Sequence, residues 1–134
     1  MKFGEVVLWK DFRFPNGNIR NKLGVCLNRP NDIFPAVLAF TTSTVGRYPN
    51  TPGCHADPPS FFFKRNPSQF PDDTWIVLSR VYPLPLPVSD KMKASGAMVR
   101  LNQLRQDQAC ALRNCALNSD DIEGKIIDLI RRSS

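Results

Sequence analysis

The stretch FRFPNGNIRNKLGVCL, Phe12–Leu27, decides how the first half of the chain folds. Asn16-Gly17 is the dipeptide best suited to a tight hairpin turn, because both residues tolerate the left-handed backbone such turns need. A strand therefore arrives through Phe12–Phe14 and another leaves from about Asn21 to Asn28. On the return strand Arg20 and Lys22 stand two apart, so on extended backbone they share one face. Leu23, Val25 and Leu27 alternate with them and lead into an apolar interior. The cationic pair at the mouth of this hairpin admits two readings. It is either a clamp for an anionic group or a pair of charges that keeps a strand edge from pairing with other chains.

Upstream, FGEVVLW (Phe3–Trp9) is rich in β-branched and aromatic residues and reads as the first strand, with Phe12–Phe14 extending it across a kink. Downstream, NRPND breaks the chain and FPAVLAFTT (Phe34–Thr42) forms a third strand, apolar enough for burial on both faces. Residues Ser43–Ser60 are Pro/Gly-rich and read as a long loop, a length usually reserved for function or mobility. SFFFK (Ser60–Lys64) and TWIVLS (Thr74–Ser79) are further strands. YPLPLPVSDKMKASG reads as an extended edge followed by a flexible excursion, since proline cannot donate inside a central ladder. VRLNQLRQDQ is expected to be a short helix and ACALRNCAL to include a last strand. The end of the chain is helical: Asn118-Ser119 suits an N-cap, Asp120, Asp121 and Glu123 favour the first turn, and Ile122, Ile126, Leu129 and Ile130 recur at helical spacing.

All twelve prolines lie between Pro15 and Pro87, which cuts the first two-thirds into short extended pieces and leaves the last third free to be helical. At 134 residues the chain is expected to be a single domain, 1–134. The expected fold is mainly β with a C-terminal α-helix, a small, strongly bent antiparallel barrel. Eighteen Lys and Arg against twelve Asp and Glu leave a net charge of +6, which suits a polyanionic partner or simply a solvated basic surface. No apolar run approaches the roughly 20 residues of a membrane helix, and Glu5 and Lys10 interrupt the first apolar stretch, so no membrane partner and a cytoplasmic location are expected. The four cysteines, Cys26, Cys54, Cys110 and Cys115, are then expected to be reduced.

Three stretches together resemble the PemK/MazF family of bacterial toxins. They are FGEVVLWKDFRFPNGNIRNKLGVCLN, AVLAFTTST and NCALNSDDIEGKIIDLI, which cover roughly half the chain in the family's order. The resemblance implies a Src-homology-3-like barrel of the PemK/MazF type that cleaves single-stranded RNA as a homodimer and is neutralised by a cognate antitoxin protein. It implies no cofactor and no metal, because the ribose 2′-hydroxyl serves as the nucleophile. The family's arginine at the start of the second strand, normally followed by proline, falls on Lys22-Leu23, and its threonine at the end of the third falls on Thr41, with Thr42 beside it. Lysine keeps the charge but lacks the planar fork that grips two phosphate oxygens. Arg20 supplies a guanidinium on the same face. The resemblance thus points to Arg20, Lys22 and Thr41 as catalytic residues. The departure at Lys22 also leaves room for a non-catalytic alternative, a protein- or nucleic-acid-binding barrel of the CcdB type.

Four other features carry weaker signals. His55, the only histidine, sits in PGCHADPP and is either a proton shuttle or a loop residue holding a turn. Thr42, Arg47, Lys64 and Arg65 are candidates for RNA contact. The phenylalanines of SFFFKRNPSQF either stack on bases or fill the core. A zinc set of Cys54, His55, Cys110 and Cys115 does not form a pair of short Cys-x₂₋₄-Cys knuckles, its adjacent Cys-His is awkward for one tetrahedral ion, and it is not adopted.

Overall fold

The computed structural model describes residues 1–134. Seven strands form one antiparallel sheet: β1 (Glu5–Arg13), β2 (Ile19–Cys26), β3 (Ala36–Thr42), β4 (Gly53–Ala56), β5 (Pro59–Phe63), β6 (Thr74–Leu84) and β7 (Met98–Gln103), in the order β4-β5-β6-β3-β2-β1-β7. Three helices complete the fold: α1 (Leu86–Ser95), α2 (Gln106–Leu117) and α3 (Gly124–Arg132).

The chain is mainly β with a helical C-terminal end, as its proline distribution implies. The sheet does not close into the expected barrel, because β4 and β7 each have a single neighbour. Helices cover it instead. Eighteen residues form the main core, where Val6, Val25, Val37, Ala39, Ile76 and Leu78 from the sheet meet Leu112, Ala116 and Ile130 from α2 and α3. A second cluster on the opposite face joins Val7, Cys26, Leu38, Leu84 and Met98, with Met92 of α1 against it.

The hairpin forms as its turn residues dictate. Gly17 has φ +88°, Phe14 N–H donates to Asn18 O at 2.8 Å, and Asn18 N–H donates to the Asn16 side chain at 3.0 Å. The kink in β1 is a bulge: Trp9 pairs with Lys22 and Phe12 with Arg20, so β1 spends one more residue than β2. Asp11 takes up the excess at φ +55°, with its N–H held by Asn21 Oδ1 at 3.1 Å. A bulge turns the following side chains over, and this one brings Trp9 and Phe12 onto the same face.

Several expectations are corrected. The last helix starts later than expected: Glu123 is the N-cap of α3, Asn118 closes α2, and Asp120 and Asp121 lie between the two helices. The loop 43–60 contains β4, which pairs with β5 from Gly53↔Phe62 to Ala56↔Pro59. The segment after Tyr82 is no excursion: β6 continues to Leu84 and α1 begins at once, with Pro87 in its first turn, where a missing N–H costs nothing. VRLNQ is a strand, β7, and ACALRNCAL lies wholly within helix α2. The cysteines are not all reduced, since Cys54 on β4 and Cys115 on α2 form a disulfide with Cα atoms 5.6 Å apart. Two of the four zinc ligands considered above are thereby joined to each other.

Candidate functional site

The opening motif Gly4-Glu5 has a structural purpose. Gly4 has φ +77°, and a Cβ there would lie 2.9 Å from Ala109 Cβ. Its N–H and C=O tie Cys26 and Leu104 together at 2.8 and 3.0 Å. Glu5 is 2% exposed and accepts a charged hydrogen bond from Lys93 of α1, with Arg100 Nε 3.9 Å away. These two residues anchor β1 and do not face the cationic pair.

Arg20, Lys22, Thr41 and Thr42 line one open cleft of about 320 Å³. β2 and β3 are neighbours, so the start of one lies beside the end of the other. The Lys22 ammonium donates to the Thr41 backbone carbonyl at 3.0 Å. Burial, and secondarily the like charge of Arg20, lower the Lys22 pKa below that of an ordinary lysine. Neither cation is paired with a carboxylate.

Thr41 touches Lys22 through its backbone carbonyl. It pairs with Ile76, which pairs with Phe61, and both of those side chains belong to the main core. Directly opposed residues point to the same face, so the Thr41 side chain lies on the core side of β3 and the residue is 7% exposed. Its hydroxyl makes no hydrogen bond within the chain and is not among the buried unpartnered polar atoms, so it keeps contact with solvent. Thr42 points the other way. Its Oγ1 accepts from Thr44 N–H at 3.2 Å and closes the strand end into a short polar loop.

The cleft contains groups that sequence reasoning missed. Ser43, Thr44 and Asn21 add polar atoms, and Asp72 and Thr74 approach from the β5–β6 connection. Asp72 is the one carboxylate among the lining residues, and its backbone carbonyl is held by the Thr74 hydroxyl at 2.8 Å. The FPDDT turn was the available signal. Its proximity to β2 depends on long-range strand pairing, which no local pattern reveals.

His55 lies elsewhere. β4 is three strands from β3, about 14 Å at the usual strand spacing. The His55 ring Nε2–H donates to Thr51 O at 2.6 Å, the turn-holding role. Arg47 rests over Tyr48 at 5.8 Å, Lys64 lines a separate pocket beside α2, and Arg65 donates its backbone N–H to Asp73 at 2.7 Å. None of the four lines the cleft.

No helix is long and apolar enough to cross a membrane. No protein-family model, curated protein or solved structure matches the chain. The PemK/MazF resemblance therefore rests on the residues quoted for it, and the chemistry of the cleft on its own side chains.

Proposed function

We propose that the protein is a toxin-like endoribonuclease that cleaves single-stranded RNA at the Arg20–Lys22–Asp72 cleft, on a PemK/MazF-type sheet left open at both edges. The observation that carries this reading is the convergence of two carboxylate-free cations with a lone carboxylate in one solvent-open cleft. In the reaction the 2′-hydroxyl attacks its own 3′-phosphate. The O2′–P bond forms, the P–O5′ bond breaks, and a 2′,3′-cyclic phosphate and a 5′-hydroxyl result. Asp72 accepts the 2′-hydroxyl proton. Lys22, whose lowered pKa brings its proton nearer to a transferable one, protonates the departing O5′. Arg20 holds the phosphate oxygens as charge builds on them. The Thr41 carbonyl orients Lys22. Dimerisation and neutralisation by an antitoxin belong to the same proposal.

The test is incubation of the purified protein with an unstructured RNA in the presence of a chelator, followed by end-group analysis. Cyclic phosphate ends are expected. Lys22→Met and Asp72→Asn should each lower the rate about 100-fold or more, while Thr41→Ala stays within a few-fold of wild type because the carbonyl remains. One observation favours a second reading, the non-catalytic CcdB-type binding module: lysine stands at position 22 where the family's arginine would, without the planar fork that grips two phosphate oxygens. Growth arrest on expression with RNA left intact would establish that alternative.

A further inference from the structure

A groove of about 880 Å³ runs between the hairpin tip, β6 and the start of α3. Its sheet wall is aromatic. Ring centroids are 5.1 Å apart for Phe12 and Phe14, 4.8 Å for Phe12 and Phe40, and 6.1 Å for Phe12 and Tyr82, with Trp9 packed behind them 5.0 Å from Phe12. Phe12, Phe14, Phe40 and Tyr82 belong to neither hydrophobic core. Tyr82 is 42% exposed. The folded chain therefore builds a contiguous set of rings that it does not use for its own packing.

Two features indicate what would use them. Arg13 and Arg80 line the same groove, exposed and without a carboxylate partner, while across it Lys125 is neutralised by Glu123 at 3.4 Å and Asp121 is the one lining carboxylate without a cation, so unpaired cations outnumber unpaired carboxylates. The groove also adjoins the cleft, since the Lys22 ammonium of the cleft sits over the Phe14 ring of the groove at 5.4 Å from its centroid. Rings flanked by unpaired cations are the arrangement that binds single-stranded nucleic acid, bases on the π-faces and phosphates along the charges. The volume falls in the roughly 300–1,000 Å³ range of clefts that bury small-molecule ligands.

We infer that this aromatic groove is a base-stacking platform that holds the unpaired RNA strand next to the Arg20–Lys22–Asp72 cleft. The inference rests on the endoribonuclease reading and adds to it a requirement for unstacked bases beside the cut. Duplex RNA, whose bases are not free to stack on side chains, is excluded by it.

The test uses the full chain and a fluorescein-labelled, unstructured RNA decamer in a direct titration. Tyr82→Leu and Phe14→Leu keep apolar bulk but remove a π-face, and Tyr82→Phe keeps it. Each leucine variant should bind about 5- to 100-fold more weakly and raise KM for cleavage with kcat retained, while Tyr82→Phe behaves as wild type. Bound RNA should quench Trp9 fluorescence, a signal lost in Trp9→Phe. Equal affinity of the leucine variants and wild type, or equal affinity for duplex RNA, would overturn the platform and leave the nuclease reading standing. Wild-type protein that neither binds nor cleaves the decamer would remove the nuclease reading itself. Should Tyr82→Leu bind RNA normally but alter the oligomeric state on size exclusion, the groove is an interface between copies of this chain and the platform is wrong.

Discussion

Lys22 shows how much a single side chain can be asked to do at this site. Part of its stem is buried, its ammonium bonds a strand-end carbonyl, and a second cation lies two residues away. Burial first and Arg20 second disfavour its charged form, so the folded chain holds this proton less tightly than the unfolded chain does. Between the lowered folded pKa and the ordinary 10.5, the unfolded state binds more protons, and stability rises with pH. Below that window Lys22 is a net cost. Lys22→Met is therefore expected to be at least as stable as wild type at pH 7, with the gap between them narrowing as pH rises toward 10. Paired denaturation midpoints at the two pH values measure it, and a gap independent of pH would refute the linkage. A cation kept at the expense of stability, in an open cleft, fits a functional role better than a packing one. Cys26 is the contrasting case. Its thiol is pushed up to about 11, chiefly by burial, which makes it a core side chain with little thiolate to offer.

Elements in this fold are held in register by a few buried polar groups. Asn28, fully buried just beyond β2, donates to Pro35 O and Ser133 Oγ and accepts from Val37 N–H, each at 2.9 Å. One side chain thus ties the end of β2, the entry to β3 and the residue after α3. Asn28→Ala strands the Val37 N–H and the Pro35 carbonyl in the interior, at roughly 1–3 kcal/mol for each orphaned group. Urea unfolding should report that loss, and Asn118→Ala, on an exposed cap, should stay within about 0.5 kcal/mol of wild type. The elements also explain why parts of the sequence misled. ACALRNCAL has the small and apolar residues of a strand, yet its Ala109, Leu112, Cys115 and Ala116 lie on one helical face against the sheet. VRLNQ looked helical because its outer face is polar, as suits β7, an edge strand that pairs only with β1. Propensity is a weak prior when tertiary contacts supply the burial.

Across the whole molecule the sheet edge carrying β4 is held by one covalent link. The Cys54–Cys115 disulfide closes 61 residues of chain between an edge strand and α2. A loop of that length corresponds to about 4 kcal/mol in the chain-entropy account of cross-links. Two thiols should titrate in denaturant without reductant, from Cys26 and Cys110, and four after reduction. The double variant Cys54→Ser, Cys115→Ser should unfold at a lower temperature by an amount that reductant reproduces in wild type. Four reactive thiols before any reductant would show that the bond is not formed in solution.

Five of the seven strands, the hairpin turn, the shared face of Arg20 and Lys22 and the amphipathic C-terminal helix were determined by the sequence alone. Each depends on residues within a few positions of one another, where backbone preference and side-chain periodicity act directly. Tertiary structure alone decided that the sheet stays open, that Thr41 presents its carbonyl to Lys22, that Asp72 joins the cleft, and that His55 does not. It also decided that Cys54 meets Cys115 and that four rings from β1, the turn, β3 and β6 gather beside Lys22. Those outcomes follow from strand order and from the bulge at Asp11, where one extra residue reverses which side of the sheet a side chain faces. No periodicity read along the chain specifies which strand lies next to which, because that choice is made by burial summed over the whole core.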